Sequence, residues 1–181
     1  MSSATALIAW LEAAPPDAPI EQAGATAAFA MISGHAITAV LESRGPRELA
    51  QHEQRLLQSM STITGHERCG TLYAGGIPAA ATTAVLLAPR LPAAVRATLG
   101  IGPYGEASPG TTDVPLGWAL RGLGVRREPL GVERTPGGHD AAGHEVVLRS
   151  VARLWLDRPV AIVTERVYRE FLDAFPDGSV K

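Results

Sequence analysis

The sequence predicts an α+β fold, a single antiparallel β-sheet with helices packed on it, and three observations lead there. First, apolar residues alternate with others through Val147, Arg149, Val151, Arg153 and Trp155. Asp157-Arg158-Pro159 then interrupts, and Val160-Ala161-Ile162-Val163 resumes an extended run, the pattern of a hairpin. Second, Gly75-Gly76 separates two further strand-like runs, Glu67 to Ala74 and Ile77 to Leu87, which read as a second hairpin. Third, short helical patterns fall between some of these pairs and not between every strand, which favours antiparallel pairing over a βαβ series.

Taken in order, Ala4 to Ala13 reads as a short helix, and the Pro/Ala stretch Ala14 to Pro19 as a breaker. Ala36 to Glu42 reads as a strand. Pro46-Arg47-Glu48 is expected to open a helix reaching Met60, because Leu49, His52, Leu56, Leu57 and Met60 recur near helical spacing and proline suits a first turn. After the Gly75-Gly76 hairpin, Pro92 to Leu99 reads as a helix closed by Gly100, and Pro103 to Gly110 as a loop. Pro115-Leu116-Gly117-Trp118 begins another short helix. Val125 to Arg134 looks extended, Thr135 to Gly143 reads as a flexible loop, and the hairpin ending near Glu165 completes the sheet. No internal repeat or interdomain linker is visible, so residues 1–181 are expected to form one domain.

Composition narrows the function classes. The chain has 181 residues, 46% of them hydrophobic and 19% charged, enough for a full core and unlike a disordered chain. A net charge of −2 without a basic run makes nucleic acid an improbable partner. One cysteine, Cys69, cannot form an intrachain disulfide or a multi-cysteine metal site, so a reducing compartment and a cytoplasmic location are the default expectations. Met1 to Glu12 does not read as a secretory signal, and the longest uncharged apolar segment, Ile77 to Pro89, is too short for the roughly 20 residues of a spanning helix. No membrane span is expected.

Three blocks carry a family resemblance: Glu67-Arg68-Cys69-Gly70-Thr71-Leu72-Tyr73 leading to Gly75-Gly76-Ile77-Pro78; Val114-Pro115-Leu116-Gly117-Trp118-Ala119-Leu120; and Arg153-Leu154-Trp155-Leu156 leading to Pro159 through Glu165. In this order and spacing, over about residues 35–172, the chain resembles the chorismate lyase family, whose relatives include the ligand-sensing domain of a large class of bacterial transcription regulators. Residues 1–34 supply an N-terminal helix and a Pro/Ala-rich segment outside the matched region. The resemblance implies a cofactor-free elimination in which chorismate loses its enolpyruvyl group as pyruvate and the ring aromatises to 4-hydroxybenzoate.

That chemistry needs a fixed cation for carboxylate and an acid near the ether. By the resemblance Arg68, ahead of the Gly-Gly-x-Pro turn, holds the ring carboxylate, and a guanidinium can do so with two parallel hydrogen bonds. The alternative is an arginine on a solvent-facing hairpin. Leu116 would contribute its main-chain amide at a helix start, where early amides lack intrahelical partners, while its side chain can still belong to the core. Glu165 matches the family's acid. From local pattern it is either a rim residue at a strand end or a desolvated carboxylate of raised proton affinity. The family's second arginine, five residues after the hairpin proline, is Thr83 here, which can donate a hydrogen bond but carries no charge. Arg153, Arg149 or Arg127 can compensate only if strand register turns one of them to the site.

Other candidates are weaker. His139, Asp140, His144 and Glu145 lie on a glycine-rich stretch that imposes no coordination geometry, so no metal is expected, and Cys69 without a partner base reads as a small buried residue. Two function classes remain open. One is a chorismate lyase-like enzyme working without a cofactor. The alternative is a non-catalytic binder of a small aromatic or carboxylated metabolite, or a related enzyme acting on a different substrate. The roughly 35 residues ahead of the matched region show no recognition-helix pattern, so a complete DNA-binding regulator is not expected. The small-molecule partner is the shared expectation, and the sequence is silent on oligomeric state.

Overall fold

The computed structural model describes residues 2–13, 18–61, 64–108 and 113–176. Six strands form one antiparallel sheet in the order β1-β2-β3-β6-β5-β4. The strands are β1 (Ile37–Glu48), β2 (Thr64–Ala74), β3 (Ile77–Leu86), β4 (Arg126–His139), β5 (Glu145–Trp155) and β6 (Pro159–Tyr168). The sheet is therefore two three-stranded meanders joined along a seam between β3 and β6, where Thr82 faces Glu165 and Leu86 faces Ala161. Gly75 and Gly76, with φ of 57° and 85°, form the tight β2–β3 turn, a conformation side chains with a Cβ rarely adopt. The predicted α+β class and both hairpins are what the chain forms.

Among the described residues seven α-helices accompany the sheet: α1 (Ser3–Ala13), α2 (Ile20–Ala23), α3 (Ala25–Ser33), α4 (Gln51–Leu56), α5 (Ala93–Leu99), α6 (Leu116–Ala119) and α7 (Arg169–Ala174). Strand alternation divides the sheet into two faces. Ala80, Ala84, Leu148, Ala152, Ala161 and Val167 point to the face covered by α1, α2, α3, α5 and α7, where they meet Leu7, Leu11, Phe29, Val95, Leu99 and Phe171. Phe29 and Phe171 pack edge to face at 5.1 Å. Side chains of this kind, fully buried, each contribute about 1.5–3 kcal/mol. On the opposite face Val85 and Ile162 form a smaller cluster with Leu49 and Leu57 beside α4.

Several local expectations change. The helix anticipated from Pro46 to Met60 shortens to α4, because Pro46, Arg47 and Glu48 extend β1 and pair with His66, Gly65 and Thr64. Proline is tolerated there because β1 is an edge strand. Arg47 is held by Glu67 at 2.6 Å and Glu53 at 2.5 Å, which ties strand to helix. The loop expected over Thr135 to Gly143 is largely strand, since β4 continues to His139 past an irregularity between Arg134 and Gly138. Glu165 lies inside β6 and not at its end, three residues before Tyr168. The helix α3 was not anticipated. It ends at Gly34, in the left-handed conformation at φ 68°. Of the expected breaker only residues 18 and 19 are described, and the expected loop from Pro103 is described to residue 108.

Candidate functional site

A cavity of about 250 Å³ lies between the helix-covered face of the sheet and the segments that close over it, α2, α3 and α6. Its walls are mostly apolar, from Ile20, Ala30, Leu72, Ala84, Leu154 and Val163. Register explains which polar groups enter it. Arg68 on β2 stands opposite Ala84, and Glu165 on β6 stands between Thr82 of β3 and Ser150 of β5. Arg127 on β4 stands opposite Leu154, on the same face. Arg68, Arg127 and Glu165 all line the cavity although they lie 38 to 97 positions apart in sequence.

Arg68 is 6% exposed, and its Nη2 donates to the Val114 carbonyl at 3.3 Å. Burial and the neighbouring Arg44 guanidinium pull its pKa down to about 10, with Asp113 opposing, so it stays cationic at neutral pH. Glu165 is 5% exposed, and burial raises its pKa. Arg127, with Nη2 3.9 Å from the Glu165 carboxylate, and the Ser150 hydroxyl oppose that rise. Arg127 itself is 1% exposed and is fixed by the Leu11 carbonyl and Ser150 Oγ, both at 2.8 Å. Among the described residues Glu165 Oε2 makes no hydrogen bond. Leu116, the first residue of α6, also lines the cavity, half-buried.

The structure does not bring Thr83 and Arg153 to this site. Thr83 faces Thr164 and Cys69, on the opposite face of the sheet, and Thr82 is the β3 residue that turns to the cavity. The parity differs from a simple count because the β2–β3 register shifts between Leu72 and Tyr73, where an extra β3 residue is accommodated. Arg153 is likewise on the far face, opposite Ile162, and is engaged by Glu128 at 2.8 Å and by the Leu56 carbonyl at 2.7 Å. Arg149 also lies on that face and pairs with Glu133. Of the three arginines that register could have turned inward, Arg127 is the one that is. Trp118 and Arg121, which sequence reasoning passed over, line the cavity too, and both are exposed. Among the described residues no group of three or more His, Cys, Asp or Glu side chains could hold a metal ion, and no helix is long and apolar enough to cross a membrane.

No protein-family model and no curated protein matches the sequence. The fold does have solved counterparts. One is the ligand-binding domain of a protein assigned to the GntR family of transcriptional regulators, from Bordetella bronchiseptica, with TM-score 0.51 and 13% identity over 73% of this chain and 83% of that one. PhnF from Mycobacterium smegmatis is similar at TM-score 0.53 and 16% identity, over 80% of this chain and 63% of that one. The C-terminal domain of the histidine utilization repressor from Pseudomonas syringae pv. tomato is similar at TM-score 0.51 and 13% identity, over 74% and 92%.

The fold is that of the chorismate lyase-like ligand-binding domains of GntR-family regulators. This corrects the enzyme expectation. The counterparts named above are described as domains of transcriptional regulators and point to a regulatory domain instead of a lyase. The comparisons do not support the exclusion of nucleic acid either, and this chain spans less than two thirds of PhnF.

Proposed function

We propose that this chain is a non-catalytic binding domain for a small carboxylated metabolite, with the cavity between α2, α3, α6 and the sheet as the binding site. The observation that carries this reading is Arg68, a buried guanidinium lining an otherwise mostly apolar cavity of metabolite size. Such a site binds through enclosed apolar contact and a few placed polar groups, and a guanidinium is suited to a carboxylate's two oxygens. The Leu116 segment supplies the adjoining wall, and Glu165 with Arg127 and Ser150 forms a polar group with its own compensation elsewhere in the cavity. Similarity to regulator ligand-binding domains supports the same reading.

The test is calorimetric titration of benzoate and 4-hydroxybenzoate into the wild-type protein and two variants. Arg68→Ala should weaken binding by roughly 1.5–3 kcal/mol, the range for a charged hydrogen bond. Arg55→Ala, on the exposed side of α4, should leave it unchanged. Equal affinity in the two variants would remove Arg68 from the site.

A further inference from the structure

Arg121 is a cation at the edge of the cavity that the fold does not use. It follows α6, is exposed, and lines the cavity with its neighbours Gly117 and Trp118. Its guanidinium stands 4.9 Å from the centroid of the Trp118 ring, and among the described residues it has no ion pair or side-chain hydrogen bond. Trp118 is itself 46% exposed. A cation on an exposed aromatic face is held more weakly than one donating hydrogen bonds to an anion, so an anionic group arriving at the mouth would compete successfully for Arg121. Arg68 differs in every respect, being buried and set against the Val114 carbonyl. Arg127 is already committed to Leu11, Ser150 and Glu165. Beside the committed Arg127, the cavity thus has a fixed guanidinium inside, Arg68, and a loosely held one at its mouth, Arg121.

We propose that Arg121 is the second anion-binding residue of this cavity, and that the ligand carries two anionic groups, one held by Arg68 and the other by Arg121, which leaves the Trp118 ring when the ligand enters. The proposal rests on the reading of the cavity as a binding site for a carboxylated metabolite and names the class, a dianion.

Benzoate and terephthalate share a ring and differ in having one or two carboxylates, so they test this directly. Both are titrated into wild type, Arg121→Gln and Arg68→Gln by calorimetry, and tryptophan fluorescence is followed in parallel, with Trp118→Phe separating the Trp118 signal from Trp10 and Trp155. Wild type should favour terephthalate by about tenfold or more, the scale of one added charged hydrogen bond. In Arg121→Gln that ratio should fall toward one, and Trp118 emission should respond to terephthalate more than to benzoate. A preference that persists in Arg121→Gln, or no preference in wild type, overturns the proposal. It leaves the cavity reading intact as long as Arg68→Gln weakens benzoate. If wild type binds neither compound, the underlying reading fails and the proposal with it.

Discussion

Arg127 and Glu165 show what a buried pair demands at the scale of single residues. Removing the guanidinium leaves a largely buried carboxylate without its neighbouring cation, a change that typically costs about 3–5 kcal/mol. Arg127→Leu is therefore expected to be strongly destabilised at neutral pH. The sign of its pH dependence follows from Glu165. Burial already raises that group's pKa, and without Arg127 the main opposing influence is gone. A folded-state value above the unfolded one, near 4.5, means that the stability linked to the protonated form is complete below about pH 4.5 and is lost as pH rises through the raised value. Urea unfolding across a pH series should show the deficit of Arg127→Leu shrinking on acidification, and adding Glu165→Gln should abolish that slope. A deficit independent of pH would mean that Glu165 is not what Arg127 compensates. Both residues were visible in the sequence, Glu165 by its block and Arg127 as one of three candidates. Thr83 was misplaced because the bulge in the β2–β3 pair changes which β3 side chains face the site, and a bulge leaves little trace in residue pattern, while Arg153 was misplaced because the sequence does not reveal which face of β5 meets the cavity.

Among the elements, β1 depends on a glycine. A Cβ at Gly70 would lie 2.4 Å from the Val40 carbonyl oxygen, a backbone atom that cannot move without displacing the edge strand. Val40 and Leu41 line the cavity, so the same displacement would deform its wall. Gly70→Ala should cost about 1–3 kcal/mol, the range for overpacking, and should weaken benzoate binding. Gly131→Ala in β4, where a Cβ meets nothing within 4 Å, should cost little or nothing. Urea midpoints and calorimetry on the two variants decide it, and similar stability losses would mean that β1 tolerates the shift. Strand pairs announced by Gly-Gly and by Asp-Arg-Pro were legible because turn chemistry and alternation agree. The α3 helix was not, although Ala25, Ala28, Phe29 and Ile32 have helical spacing and Gly34 is a suitable terminator. Its alanines give little contrast between faces, and the packing of Phe29 on Phe171 that stabilises it joins positions distant in sequence.

For the molecule as a whole, fold class was the most legible property, since patterning alone separates a meandering antiparallel sheet from alternating βαβ units. Activity was the least legible, because one architecture can carry an enzyme or a binding module according to a few side chains. The seam between the meanders has a kinetic consequence. Each three-stranded half closes through neighbouring segments, whereas Leu86 and Ala161, partners across the seam, are 75 positions apart, and joining them bears the larger loop-closure entropy. Arg68 and Thr82 belong to one half and Arg127 and Glu165 to the other, so the cavity does not exist until the halves meet. A ligand that fits it is then a bridge between two folding units, able to slow their separation and unable to hasten their encounter. In stopped-flow urea jumps a bound carboxylate should lower the unfolding rate and leave the refolding rate in place. Faster refolding with ligand would show that the halves dock early, and that the protein's persistence under denaturing conditions is set elsewhere than at the seam.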